Sequence, residues 1–92
     1  MNEDIYYPRK VLSDTNLSVG ARLLYGVIFT RAMATGICDM TNQQLGDSIC
    51  LSKLRASSLV SELVRKNYLE RIIVRDEKNN EVLSRKLIPL VS

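Results

Sequence analysis

The sequence predicts an α+β fold, three helices followed by a C-terminal β-hairpin, on three observations. Ser18, Thr41 and Ser52 each stand just ahead of a run with apolar residues at helical spacing, where a hydroxyl caps the first turn. From Thr41 to Leu69 the chain reads as a short helix, a turn, a longer helix and a helix stop. Beyond that stop, Leu69–Arg75 and Val82–Val91 are rich in β-branched and apolar residues and flank the polar turn Asp76-Glu77-Lys78-Asn79-Asn80-Glu81. A helix-turn-helix followed by a hairpin is the layout of a winged helix-turn-helix domain. With 92 residues the chain makes a single domain over its whole length.

Residues 1–17 read as an irregular or extended lead-in, with 1–12 a candidate N-terminal arm, because Pro8 disfavours helix at Tyr7. Ser13-Asp14-Thr15-Asn16 is turn chemistry. The first helix is expected over Val19–Ala34, with Leu24, Val27, Ile28 and Met33 on one face and Leu23, Tyr25 and Phe29 widening it. Gly26 calls for close approach of another element, and Gly36 suits the helix exit. Ile37-Cys38-Asp39-Met40 fits the small strand that winged-helix domains place before the second helix. That helix, Asn42–Ile49, should start with a capping box between Thr41 and Gln44 and bury Leu45 and Ile49, while Gly46 admits a close neighbour. The third helix, Lys53–Lys66, carries the core stripe Ala56, Leu59, Val60, Leu63 and Val64. Asn67 at its exit tolerates the left-handed conformation. Lys78-Asn79-Asn80 can supply a positive φ in the hairpin loop, and Pro89 marks an edge position.

Composition excludes more than it selects. The formal charge of +3 is mildly basic, so the placement of charge matters more than its sum. With no histidine there is no His-based metal site, triad or general base, and no convergent carboxylate pair offers a mechanism, so no enzyme activity and no cofactor are expected. Cys38 and Cys50 lack the spacing of a zinc site and read as small buried thiols, suited to a reducing cytoplasm. The acidic start Met1-Asn2-Glu3-Asp4 is not a secretory signal, and no apolar run approaches a membrane helix.

The third helix carries the most suggestive surface. With Ala56 and Val60 inward, Leu54, Ser58, Ser61 and Arg65 point outward, Arg55 and Glu62 flank them, and Lys53 occupies the first turn. Basic residues beside the positive end of the helix dipole cost some helix stability and favour a nearby anion. Ser57, Ser58 and Ser61 keep the profile low, which suits a major groove about 12 Å wide. Arg55 is the candidate for bidentate guanine contact and Leu54 for a thymine methyl. Asn42 and Gln43 at the start of the second helix join the candidate contacts. On the hairpin, Arg75 and Lys78 are phosphate or minor-groove candidates, opposed by Asp76, Glu77 and Glu81, and Arg9 and Lys10 could add a backbone contact. The bland alternative is a set of ordinary solvated charges.

The order of residues resembles the winged-helix domains at the N-terminus of phage and plasmid replication initiators and replisome organisers. Asp14-Thr15-Asn16-Leu17-Ser18 and Ala21-Arg22-Leu23-Leu24-Tyr25-Gly26 look like that family's approach to its first helix, and Thr41-Asn42-Gln43-Gln44-Leu45-Gly46 like its second. Ser52-Lys53 with Ala56, Val60 and Leu63 looks like the recognition helix. Lys66-Asn67-Tyr68-Leu69 resembles the exit and Ser84-Arg85-Lys86-Leu87-Ile88 the basic final strand. Ala56 stands where a larger β-branched residue is usual, Asn67 replaces glycine, and such initiators continue into a further domain, so the chain reads as an excised domain or a stand-alone binder. The resemblance implies sequence-specific binding of double-stranded DNA at an origin or operator, in replication initiation or transcriptional regulation. Monomer and homodimer both stay open, as do further replication or regulatory proteins as partners. The competing expectation is a winged-helix protein-interaction module that uses Leu54 and the hairpin edge without binding DNA.

Overall fold

The computed structural model describes residues 8–90, and they form an α+β domain of four helices and one hairpin. The helices are α1 (Arg9–Leu12), α2 (Val19–Ala32), α3 (Asn42–Ser48) and α4 (Lys53–Arg65). Strands β1 (Leu69–Arg75) and β2 (Val82–Pro89) pair antiparallel. The predicted caps are in place. Ser18, Thr41 and Ser52 accept from the amides of Ala21, Gln44 and Arg55, and the Gln44 carboxamide closes the capping box on the Thr41 amide. Gly36, Asn67 and Asn80 adopt φ of 83°, 66° and 61°, as their turn roles require. Cys50 adds an unforeseen positive φ of 58° between α3 and α4.

Several expectations need correction. The lead-in is not extended throughout: Arg9–Leu12 forms the single-turn α1, which gives four helices instead of three, because Val11 becomes fully buried when the turn coils. Residues 1–7 lie outside the described ones. The helix expected to reach Ala34 ends at Ala32. Its buried face is Ala21, Leu24, Tyr25, Ile28 and Ala32, whereas Met33 and Leu23 are exposed. The strand expected over Ile37–Met40 contracts to one bridge, Cys38 to Leu87, with reciprocal amide–carbonyl bonds of 2.8 and 2.9 Å. Cys38 is a buried thiol but Cys50 is exposed, and both are free.

The core lies where α2, α4 and the base of the hairpin meet. Leu24, Tyr25, Ile28, Leu59, Leu63 and Leu87 are all fully buried or within 1 % of it. Tyr25 packs edge-on against Tyr68 and stacked on Phe29, each with ring centroids 6.0 Å apart. The loop from Ser13 to Leu17 is held by polar ties: Arg22 donates to the Leu12 and Leu17 carbonyls, and the Tyr68 hydroxyl donates to Asp14. Gly46 is required by crowding, since a Cβ there would stand 2.5 Å from the Leu51 carbonyl oxygen. The close neighbour it admits is thus the backbone leading into α4. Leu87 turns both main-chain groups to Cys38, so by alternation Pro89 also faces away from β1, and its missing N–H costs no ladder bond. Register slips at the distal end, where Leu83 is the extra residue between the pairs Val74–Ser84 and Arg75–Val82.

Candidate nucleic-acid interface

Helix α4 has an inner and an outer side because its apolar residues recur every three to four positions. Ala56, Leu59, Val60 and Leu63 are buried, and Lys53, Leu54, Arg55, Ser58 and Arg65 are exposed. Leu54 is 83 % exposed, far beyond what a core-forming leucine shows. Ser57 and Ser61 are half-buried. The two basic residues of the first turn diverge. Lys53 lines a groove against the hairpin. Arg55 lies seven residues before Glu62, hence on the same flank, and Glu62 turns to the start of α2. Leu54 and Ser58 occupy the strip between these flanks.

Glu62 is a residue whose role sequence reasoning missed. One carboxylate oxygen accepts from the Ser18 amide and the other from the Ser18 hydroxyl, each at 2.8 Å. Burial pushes the carboxyl up, but the two Ser18 hydrogen bonds, with Arg65 and Lys66 nearby, outweigh it and hold the group below the ordinary glutamate value. The side chain expected to flank a binding face is therefore a clamp between α4 and α2. Its partner lies 44 positions away, so no local pattern marks it.

The groove beside Lys53 has a volume of about 500 Å³. One wall is the segment from Asp39 to Asn42, and the other is the distal part of β2, Val82 to Arg85. Arg85 bridges the walls, donating to the Asn42 carboxamide oxygen at 2.5 Å and to the Met40 carbonyl at 2.6 Å. Burial lowers its guanidinium below the ordinary arginine value; Cys38 opposes that and Arg71 adds to it. No protein-family model, curated protein or solved structure matches the chain.

The remaining predicted contacts are dispersed. Asn42 has its carboxamide oxygen occupied by Arg85, which leaves its N–H2 group as the half that can donate outward. Gln43 is exposed and donates to Asp47 at 2.9 Å. Arg75 reaches back to the Asn80 carbonyl at 3.2 Å, and Lys78 is exposed at the hairpin tip. The Asp76 carboxylate accepts from the Lys78 and Asn79 amides, so it shapes the loop. Arg9 and Lys10 are exposed on α1, which packs against α2 and against no other named element. They are not brought to the α4 face. Among the described residues no cluster of acids and thiols could hold a metal, and no helix is long and apolar enough to cross a membrane.

Proposed function

We propose that the chain is a winged-helix module that binds double-stranded DNA in a sequence-specific manner. In this reading α4 lies in the major groove and the hairpin runs along the adjacent backbone. The observation that carries the proposal is the outer side of α4. It combines a low serine profile with Lys53 and Arg55 on opposite flanks and Leu54 exposed between them, while the inner side is fully committed to the core. The tight α3–α4 turn around Gly46 and the third-strand bridge at Cys38 support the winged-helix reading of the fold. The resemblance to initiator and replisome-organiser domains adds origin or operator DNA as the target.

In the complex Arg55 reads a guanine edge, Leu54 meets a thymine methyl, and Lys53, Ser58, Arg65 and the Asn42 amide group hold phosphates. Arg75 and Lys78 contribute less, because Glu77 and Glu81 share the hairpin tip with them. Selection of bound duplexes from a random pool tests the proposal, followed by affinity measurements at several salt concentrations. Contact with about five phosphates gives a log–log salt slope of roughly −4 to −5. A flat slope, or no duplex binding at low salt, would sink the proposal.

A further inference from the structure

The wall of the groove formed by β2 is also a free strand edge. Leu87 spends its outward main-chain groups on Cys38, and the chain then diverges from β2 through Asp39 and Met40. Alternation along β2 turns the Arg85 amide and carbonyl the same way, into the groove. Among the described residues no turn, loop or cap hydrogen bond engages them. The Cys38 bridge closes one end of the gap. Strand-edge groups of this kind accept an added extended segment.

The side chains around that edge select the chemistry of the segment. Val82 and Leu83 are 54 % and 62 % exposed, and Met40 adds apolar surface on the facing wall. Lys53, Arg85 and Asp39 leave the lining one formal positive charge in excess, and with the Arg85 guanidinium held by Met40 and Asn42 the cation open to a partner is Lys53. We infer that the groove between β2 and the Asp39–Asn42 wall receives an extended peptide segment of a partner protein, with alternating apolar and acidic side chains, paired to the free edge of β2. Apolar side chains of the segment cover Val82 and Leu83, and its carboxylates meet Lys53. Single-stranded nucleic acid fits less well, since no aromatic ring lines the groove to stack a base. Lys53 also belongs to the proposed duplex-binding surface, so peptide and duplex exclude each other.

The test uses a capped Val-Glu-Val-Glu-Val-Glu peptide, with Val-Lys and Ser-Glu versions of equal length, titrated into the isotopically labelled chain. The expected result is amide shifts confined to Asp39–Asn42 and Val82–Leu87 with the Val-Glu peptide alone. Leu83→Asp and Lys53→Glu, both at exposed positions, each weaken that binding by about tenfold or more and leave the remaining amide spectrum unchanged. Equal binding of the Val-Lys peptide, shifts outside the groove, or indifference to both substitutions overturns the inference. So does an added duplex that leaves peptide affinity unaltered while itself occupying Lys53. Duplex affinity measured in parallel keeps this result separate from that of the DNA proposal.

Discussion

The carboxylate of Glu62 fastens two helices through a single serine, whose hydroxyl donates to it and also accepts from the Ala21 amide. Glu62→Ala removes both bonds to Ser18 and leaves a partly buried amide without its acceptor, so it should lower unfolding free energy by about 1–2 kcal/mol in urea titrations. Its carboxyl is held below the ordinary value in the folded chain, so the unfolded chain takes up a proton first as pH falls. The contribution is therefore present above the ordinary glutamate value of about 4.3 and is lost as pH drops through the lower folded value. Asp14, lowered by the Tyr68 hydroxyl and the Asn16 amide, acts in the same direction. Stability measured from pH 6 downward should decline below about pH 4, and Glu62→Gln should flatten that decline. A second residue-scale prediction concerns recognition. Arg55→Ala should weaken cognate duplex binding by about 1–3 kcal/mol and relax preference at one base pair. Equal losses on cognate and random duplexes would make Arg55 a phosphate clamp instead.

Among the elements, α3 approaches the chain entering α4 so closely that no side chain fits at Gly46. Gly46→Ala places a methyl against the Leu51 carbonyl oxygen, a backbone atom with little room to move. The turn must open, and a loss of about 1–3 kcal/mol is expected in thermal unfolding. Leu54→Ser should be the converse case. Its side chain is 83 % exposed, so the unfolding free energy should stay within about 0.5 kcal/mol of the parent, while duplex affinity falls. Caps, helix stops and hairpin position were legible in the sequence because they depend on neighbours within a few residues. The α4 stripe was legible for the same reason. Helix α1 was not, since four residues carry no period and only the burial of Val11 against the body justifies the turn. Arg85 escaped notice as well: it reads as one more basic strand residue until the Asp39–Asn42 segment is folded beside it.

At the scale of the whole molecule, tertiary contact divides the basic residues by duty. Arg22 and Arg85 are absorbed into holding loops, and Arg75 into its own hairpin. Arg9 and Lys10 are carried on α1, away from the α4 contacts. The formal charge of +3 thus gives little idea of the field at α4. The sequence alone indicated which side of α4 faces outward and, at two positions apart, that Lys53 and Arg55 part to opposite flanks, but not what each flank faces. Tertiary structure sets that: the hairpin lies along the Lys53 side and the start of α2 along the other.

The two bonds between Cys38 and Leu87 join positions 49 residues apart (87 − 38 = 49). Closing that span costs chain entropy that the local α3–α4 contacts do not incur, so the bridge belongs to the late side of the folding barrier. Leu87→Ala keeps both main-chain bonds but removes the fully buried side chain that seats the hairpin there, so it should accelerate unfolding severalfold or more in stopped-flow experiments and barely change the folding rate. The helices can assemble before the hairpin docks, and the bridge serves as the bolt that sets how long the native state lasts.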